Sequence, residues 1–467
     1  MQQPDNHASG AWHKYFTQLQ IALATVAAKQ PERGLVAATR DKVYQLYAWD
    51  VASGDLRQLT KRVGGVIFGG ISPDGRFVYY LDEDDGHYVR IAYDANDPSP
   101  QNISPDLTAY ESASISQSLN GSVLGFAATT DQNTSIYTQP VAENGDLGER
   151  AVLYTTDASA YGPWFDHNAT YAVIATTEIT DSADHGLMAF PLDNADQATV
   201  RVLHDANADM TPVAFAPLPG DTRLLATTDA TGVIRPMIWD VSNGDRIDLP
   251  LDDIDGDIGV WGWSPDGERL LLFRVHHAHY QLYVYDLKRS TLTALNHADG
   301  AYFGGFFLNT DEIVTVWTDG THPAQVITLD ATTGTQQRTL IASGDDLKLE
   351  PWRSIRFQSG GGAQIQAWLA TPDRSRFGDG PYPTIIRAHD GPFDAQLHSY
   401  HPEAATWLTH GVAWLSVNYR GSTTFGPEHQ GSIIGIPGHR EVDDLVAARE
   451  WLIAQGIAHP DQVFLNG

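Results

Sequence analysis

The stretch that decides the fold lies at the end of the chain. It reads PYPTIIRAHDGPF over residues 381–393, AWLSVNYRGSTTFGPEHQGSIIGIPGHREVDDLVAAREWL over residues 413–452 and DQVFLNG over residues 461–467. Short apolar strands alternate there with helical patterns of apolar residues. Because this alternation is typical of parallel sheets that are covered by helices on both faces, the sequence predicts the first strands of a mostly parallel sheet.

The same patterns place the individual elements of this region. The sequence predicts a hairpin pair at 353–359 and 363–372, strands at 384–388, 413–418 and 462–465, and helices at 402–410 and 441–455. Three such strands do not complete a parallel sheet. We therefore predict that residues 345–467 are the N-terminal part of a domain and that this domain is incomplete.

A repeat occupies the chain upstream, from about Arg33 to Gly344. Five copies have an apolar strand that ends in Asp, as in LYAWDVASGD around Asp50, and two degenerate copies lie near Gln139 and Phe190. Most copies also have a tight turn, as in WSPDGERLLLF at 263–273. A period of about 44 to 52 residues with about four short strands is typical of β-propeller blades. Seven copies predict an all-β, seven-bladed propeller over 33–344, whose first blade lacks its first strand. A solenoid is the alternative, which the turn chemistry disfavours.

Residues 1–32 are predicted to form an N-terminal helical segment. Apolar residues recur there at helical spacing, namely Trp12, Phe16, Leu19, Leu23 and Val26. Pro31 is expected to end this helix near Gln30, because a proline disfavours helical geometry in the residue before it. The alternative for Ile21–Ala28 is a weak export signal.

Composition restricts the partners of the chain. Asp and Glu total 58 against 29 Lys and Arg, for a formal charge of -29. Such a charge disfavours nucleic acid and anionic membrane surfaces, since both are bound by clustered Lys and Arg. The chain has no cysteine, which excludes disulfides, thiolate metal sites and cysteine nucleophiles within it. We predict a cytoplasmic protein with neither cofactor nor metal, and leave its oligomeric state open.

Three predicted strands end in motifs that are compatible either with a catalytic loop or with an ordinary turn. His-Asp-Gly-Pro at 389–392 follows a strand, and glycine there would let backbone N–H groups approach a developing oxyanion. An ordinary turn is the alternative. The next strand is followed by Asn418–Ser422, where a structural arginine is favoured. Phe464–Gly467 ends in a glycine that fits the first position of a G-x-S-x-G nucleophile elbow. The alternative is a glycine that stands at a strand end by chance.

In this order and spacing, these pieces resemble the prolyl oligopeptidase family of serine peptidases, especially its acylaminoacyl-peptidase-like branch. The resemblance is carried by NYRGSTTFG at 418–426, by the helix start PG-x-R-E-V-D-D at 437–444 and by AA-x-x-WL at 447–452. It implies a seven-bladed propeller followed by an α/β-hydrolase domain, which would be incomplete in this chain. The propeller part matches in architecture only.

The resemblance also implies a function, namely hydrolysis of short peptides or acylated peptides by acyl transfer, with the propeller restricting access. It places the oxyanion-loop glycine at Gly391 and puts Asp390 where the family commonly has glycine. The catalytic Ser, Asp and His are expected beyond Gly467, so the 467-residue chain is predicted to be inactive. The alternative is a non-catalytic propeller binding module with a vestigial hydrolase segment, which the residues following Gly467 would distinguish.

Two other serine-containing stretches imitate a nucleophile elbow. Gly70–Gly75 and Gly262–Gly267 have the spacing G-x-S-x-x-G and recur at the turn of the propeller repeat. They are predicted to be hairpins.

Histidine and aspartate clusters are given structural interpretations. His276, His277 and His279 suggest a metal site, and a strand would put His277 and His279 on one face. No third ligand is indicated near that pair, so an exposed hairpin is favoured. The acidic run at 252–257 is predicted to be a solvated turn, since the glutamate of a calcium loop is missing. Asp443 and Asp444 are assigned to the first turn of a helix, where the helix dipole favours carboxylates.

Overall fold

The computed structural model describes most of the chain. The described residues are 12–39, 43–95, 99–107, 114–129, 133–180, 182–192, 200–344, 347–391 and 393–467. Pro392 and residues 1–11 of the predicted N-terminal segment lie outside them. Within these residues, no helix is long and apolar enough to span a bilayer.

The first four blades of the propeller are antiparallel sheets of four strands each. In chain order their strands are β1 (Gln20–Ala27), β2 (Gln30–Thr39), β3 (Gln45–Asp50) and β4 (Leu56–Gln58); β5 (Gly70–Ile71), β6 (Phe77–Asp82), β7 (His87–Ala92) and β8 (Gln101–Asn102); β9 (Ile115–Gln117), β10 (Val123–Thr129), β11 (Thr134–Pro140) and β12 (Ala151–Thr156); and β13 (Ala160–Phe165), β14 (Tyr171–Thr176), β15 (Gly186–Pro191) and β16 (Arg201–Leu203).

Three further blades complete the predicted seven. Their strands are β17 (Met210–Phe215), β18 (Arg223–Thr228), β19 (Arg235–Asp240) and β20 (Arg246–Asp248); β21 (Asp257–Trp263), β22 (Arg269–His276), β23 (His279–Asp286) and β24 (Thr291–Ala294); and β25 (Ala301–Phe307), β26 (Glu312–Thr318), β27 (Gln325–Asp330) and β28 (Gln336–Ile341). The seven-bladed propeller inferred from the repeat is confirmed.

Each blade buries its apolar faces against its two neighbours. Leu46 of blade 1 and Val78 of blade 2 share one buried cluster, and equivalent clusters join the other consecutive pairs. The last cluster closes the ring, because Trp49 of blade 1 packs in it with Val314 and Val326 of blade 7. A propeller blade therefore has no separate core, and its stability depends on the neighbouring blades.

The predicted N-terminal helix is wrong beyond its first turn. Between Trp12 and Pro31, the described part of this segment, only α1 (His13–Phe16) is helical, and Gln20–Ala27 is strand β1, paired antiparallel with β2. This strand also supplies the first strand that blade 1 was predicted to lack. Burial decides the outcome, since Ile21 is 3% exposed and packs in the ring-closing cluster between blades 1 and 7. Pairing with β2 and this burial override a helical spacing of apolar residues.

The serine-containing turns are hairpins, as predicted. In the first, Gly75 N–H donates to the Ser72 carbonyl at 2.8 Å, and Ser72 Oγ donates to Asp74 Oδ1 at 2.6 Å. The second has the equivalent bond between Ser264 and Asp266. Both serines are buried and bonded inside their own turn. The acidic run at 252–257 is likewise a turn, which leads into β21.

The C-terminal segment forms one mixed sheet of five strands. Its spatial order is β29–β30–β32–β31–β33, and the elements are β29 (Arg353–Gln358), a 3₁₀ turn (Gly360–Gly362), β30 (Gln364–Ala370), α2 (Arg374–Phe377), β31 (Tyr382–Ala388), α3 (Pro402–Thr409), β32 (Ala413–Asn418), α4 (Pro427–Gly431), α5 (Arg440–Ala454) and β33 (Ala458–Asn466). The strands β32, β31 and β33 are parallel, whereas β30 is antiparallel to β32. We call residues 345–467 the peptidase segment below, after the family that the sequence resembles.

Candidate active site

The carboxyl ends of three parallel strands meet at one edge of the sheet. β31 lies between β32 and β33, with Ala388 opposite Val417 on one side and Arg387 opposite Asn466 on the other. Ligands of open α/β sheets bind at this edge, outside the carboxyl ends of the strands. The three motif-bearing strand ends singled out in the sequence therefore come together.

Gly467 lies directly against the end of β31. A Cβ atom built on Gly467 would sit 3.6 Å from both the Cβ and the carbonyl oxygen of Ala388. The loop that follows Ala388 carries Gly391. The two glycines thus belong to neighbouring strand ends, although they are 76 positions apart (467 minus 391) in the sequence.

His389 is the buried anchor of the 389–391 loop. Its side chain is 7% exposed, and its ring stacks on the Tyr419 ring with centroids 4.4 Å apart and planes 14° apart. Nε2 lies 2.8 Å from Ser422 Oγ. Burial lowers the pKa of His389, although the Asp390 carbonyl and the nearby carboxylates oppose that effect. The ring is therefore favoured in its neutral form.

Tyr419 also holds the backbone of the same loop. Its hydroxyl donates to the His389 carbonyl at 2.9 Å, so the residue grips both the ring and the peptide group of His389. Ser422 in turn donates from Oγ to the Tyr419 carbonyl at 2.6 Å. The loops after β31 and β32 are thereby tied to each other. Apart from the motif Asn418–Ser422, nothing in the sequence indicated this network.

Gly391 occupies a position that favours glycine. Its φ is +48°, a left-handed value that costs other residues about 1–2 kcal/mol. It is exposed, and a Cβ atom added there would meet no atom within 4 Å. No hydrogen bond from Gly391 N–H to any other described residue is found. Asp390 is also exposed, so its carboxylate is not buried beneath the loop.

Replacing Tyr419 with phenylalanine is expected to loosen this loop without unfolding the sheet. The change removes one neutral hydrogen bond to the His389 carbonyl and keeps the stacked ring, so we expect a loss of about 0.5–1.5 kcal/mol. Hydrogen exchange of residues 389–391 measures the effect directly. Tyr382→Phe is the matched control, because it removes a tyrosine bond to the Gly378 carbonyl outside the site. Equal protection of 389–391 in both variants would contradict the assignment.

Arg420 and Asp444 have structural roles, as predicted. Asp444 is fully buried, and its Oδ1 lies 2.8 Å from an Arg420 terminal nitrogen. It also accepts bonds from the Arg420 backbone N–H at 2.8 Å and from Ser359 Oγ at 2.5 Å. Asp444 thus joins α5 to the turn after β32 and to the β29–β30 hairpin. Asp443, one residue earlier in the first turn of α5, is exposed.

The propeller touches this edge of the sheet through the histidine-rich hairpin. β22 and β23 are joined by His277 and Ala278, which confirms the hairpin interpretation. Both residues donate backbone N–H groups to Thr424 of the loop after β32, at 2.8 and 3.0 Å. His277 also stacks on Phe425, with ring centroids 5.4 Å apart. The sequence did not indicate that this hairpin contacts the peptidase segment.

Comparison with known proteins agrees with this architecture. The model of the prolyl oligopeptidase family matches residues 398–467. Dipeptidyl aminopeptidase BIII of Pseudoxanthomonas mexicana is 25% identical over 452 residues, which cover 91% of this chain and 56% of that protein. The human acylamino-acid-releasing enzyme is 25% identical over 223 residues, covering 44% of this chain and 30% of the relative. The chain thus spans little more than half the length of the first of these relatives.

Solved structures match over nearly the whole chain. Puromycin hydrolase has a TM-score of 0.74 at 18% identity and covers 96% of this chain, which in turn spans 73% of that structure. The acylaminoacyl peptidase of Pyrococcus horikoshii has a TM-score of 0.68 at 14% identity, with coverage of 96% and 73%. At these identities the likeness shows the fold. Residues 398–467, which match the prolyl oligopeptidase family, thus belong to a chain that shares the fold of these solved structures, with a seven-bladed propeller before the C-terminal sheet.

Proposed function

We propose that this protein is a serine-type peptidase that hydrolyses short peptides or acylated peptides by acyl transfer. The observation that carries the proposal is that Gly391 and Gly467 follow adjacent strands at the carboxyl edge of a parallel sheet, in a segment that matches a peptidase family. The substrate class follows the names of the relatives, a dipeptidyl aminopeptidase and an acylamino-acid-releasing enzyme.

Gly391 is proposed to supply an oxyanion-hole N–H. Three properties support this role, namely its exposure, its positive φ and the open space around it. A substrate carbonyl can approach such a backbone closely, and a preorganised N–H stabilises the negative charge that develops on the carbonyl oxygen. His389 and Tyr419 are proposed to position the loop, since they fix its first peptide group without being exposed themselves.

The nucleophile is proposed to be a serine two residues after Gly467, on the turn that follows β33. A histidine would take the proton of this serine and an acid would orient the histidine, as in other serine hydrolases. In this proposal residues 1–467 supply the substrate gate and one half of the oxyanion hole. The 467-residue chain on its own is then expected to hydrolyse nothing.

Access to the site is proposed to be restricted by the propeller. The hairpin that ends at His277 and Ala278 is hydrogen-bonded to Thr424, in the loop that follows β32 at the same sheet edge. A long or folded polypeptide would have to pass this contact to reach Gly391. Short peptides are therefore the expected substrates.

Two measurements on one sample test the proposal. The intact mass of the protein from its native source is compared with 51.0 kDa, and the same sample is treated with a fluorophosphonate probe that labels activated serines. We expect a larger mass, labelling of the native protein and no labelling of the recombinant 467-residue chain. A native protein of either mass that is not labelled and cleaves no acetylated or unblocked dipeptidyl substrate would contradict it and would favour a binding module.

A further inference from the structure

A second contact between propeller and peptidase segment is built from ionisable groups. His279 is the first residue of β23, Asp299 lies between β24 and β25, and His398 lies in the peptidase segment between β31 and α3. These three residues, together with Trp368 of β30, are called the latch cluster below. The cluster is separate from the 389–391 loop, and the proposed reaction makes no use of it.

The Asp299 carboxylate lies between the two imidazole rings. Its Oδ2 is 3.1 Å from His398 Nδ1, and its Oδ1 is 3.6 Å from His279 Nδ1. The His398 side chain is only 11% exposed, whereas the Asp299 side chain is 57% exposed. The carboxylate is held in place by the Gly300 N–H, which donates to Oδ1 at 3.0 Å. One propeller carboxylate is therefore shared by a histidine from each domain.

Trp368 connects the same two histidines by a second route. His398 stacks on the indole with ring centroids 4.5 Å apart and planes 15° apart, and His279 lies 4.9 Å from it, tilted by 56°. The indole is 1% exposed, and its Nε1–H donates to the Gln396 carbonyl at 3.1 Å, two residues before His398. The aromatic face therefore sits in a fixed position, where it attracts a cationic ring.

We propose that the latch cluster is a proton-dependent latch that holds the peptidase segment on blades 6 and 7, tight while His279 and His398 carry protons and looser once they lose them. Protonation gives each ring a positive charge that is attracted both to the Asp299 carboxylate and to the Trp368 face. Neutral rings keep at most the hydrogen bonds and the stacking. The two attractions change together because they share the same two protons.

The pH range in which the latch holds depends on the Asp299 carboxylate and on the two imidazole rings. The neighbouring His279 and His398 rings hold the pKa of Asp299 well below its usual range. The stabilisation that Asp299 contributes is therefore present above its unfolded pKa of about 3.9 and is lost as the pH falls through its lower folded pKa. Histidines ordinarily lose their proton between about pH 5 and pH 8. The latch is expected to be tight in mildly acidic solution and to loosen above neutrality.

The neighbouring hairpin contact responds to protons in the opposite sense. Burial lowers the pKa of His277 to about 4, helped by the charges of His276, Arg356 and Arg274. His277 therefore supports its contact in the neutral form, fully above about pH 6.5, and loses it as the pH falls toward 4. A comparison that stays at or above about pH 6 leaves this contact largely unchanged.

Other charged groups around the latch cluster are few. On the propeller side, burial lowers the pKa of His297, and the Asp299 charge opposes this shift. Burial raises the pKa of Tyr302, and the charges of Asp299 and Asp319 add to that rise. In the peptidase segment, Arg387 bonds Gln396 at 2.9 Å. Burial lowers the pKa of His401 to about 4, and Arg387 adds to the shift. Among the described groups that face the latch cluster, His297 and His401 are thus both favoured in their neutral forms.

The test measures the separation of the two domains directly. The chain has no cysteine, so spin labels attach only at introduced sites, for which Glu143 of blade 3 and Glu450 of α5 are suitable because both are exposed. Pulsed electron–electron double resonance gives the label-to-label distance distribution at about pH 6 and about pH 8.5. The 467-residue chain is used without substrate, so the result does not depend on the proposed peptidase reaction.

We expect the distribution to widen and shift to longer distances at the higher pH. Asp299→Asn, His398→Gln and His279→Gln each remove one member of the latch cluster. Each of these three variants is expected to show the wide distribution already at the lower pH. Asp245→Asn and His204→Gln are the controls, since both residues are exposed on blades away from the contact and should keep the normal pH response. Identical distributions at both pH values, or a normal response in folded Asp299→Asn, would overturn the proposal.

Discussion

Replacing Asp444 with alanine is expected to destabilise the peptidase segment by about 3–5 kcal/mol, the usual cost of removing one partner from a buried ion pair. Asp444 is fully buried, and Arg420 has a side chain that is only 12% exposed. The variant leaves the Arg420 guanidinium without its carboxylate in a place that water barely reaches. It also removes the acceptor of the Arg420 backbone N–H and of the Ser359 hydroxyl.

Asp443→Ala is the matched control for this prediction. Asp443 directly precedes Asp444 in α5 and has the same charge, but it is exposed. Its replacement is expected to change stability by no more than about 0.5 kcal/mol, as surface substitutions usually do. Any effect through the helix dipole alone would appear in both variants, so the difference between them isolates the buried pair.

Hydrogen exchange of α5 measures the free energy of opening of this region without requiring the whole chain to unfold. We expect faster exchange over residues 440–454 in Asp444→Ala and nearly normal exchange in Asp443→Ala. If both variants showed equal protection from exchange, the ion pair would contribute little to stability, and other contacts would have to hold the turn after β32 in place.

Trp49→Ala is expected to open the propeller at the seam between its last and first blades, at a cost of about 3–5 kcal/mol. Trp49 is completely buried and packs in the cluster that joins blade 1 to Val314, Val326 and other residues of blade 7. The fit is close, since a Cβ atom on Gly34 would lie 2.2 Å from the indole Cε3. Removal of the ring therefore leaves a cavity where the ring of blades closes.

The measurement for Trp49→Ala is equilibrium unfolding by urea, followed by circular dichroism of the strands. Ile247→Ala is the control, because Ile247 is an apolar residue of β20 that is 58% exposed. We expect the midpoint to fall strongly for Trp49→Ala and to stay nearly unchanged for Ile247→Ala. A loss below about 1 kcal/mol for Trp49→Ala would show that the neighbouring blades close the gap by relaxation.

The elements of the peptidase segment were predictable because their signals are local. Ala413–Asn418 was placed as a strand with the same limits that the structure shows, and the helix predicted at 441–455 is observed at Arg440–Ala454. An apolar strand and an amphipathic helix each carry their period within a few residues. The hairpin turns of the propeller were equally readable, since Pro-Asp-Gly fixes its turn wherever it stands.

The candidate site was predictable only in part. The sequence pointed to Gly391 through its motif, and its role stays a proposal. The sequence did not indicate that Tyr419 and Ser422 hold His389, because the three residues come from loops after different strands. Nor did it indicate that Asp299 joins histidines of both domains. Such contacts depend on the pairing of β31 with β32 and on the docking of the domains.

The sequence by itself determined the number of blades, the order of the strands and helices in the C-terminal sheet, and the family resemblance, because repeats and periodic patterns are properties of neighbouring residues. Tertiary structure alone decided the fate of Gln20–Ala27, whose apolar residues recur at helical spacing but which forms the first strand of blade 1. Backbone pairing with β2 and burial of Ile21 against blade 7 outweigh a weak helical preference. The same long-range packing brings the site loops and the latch cluster together.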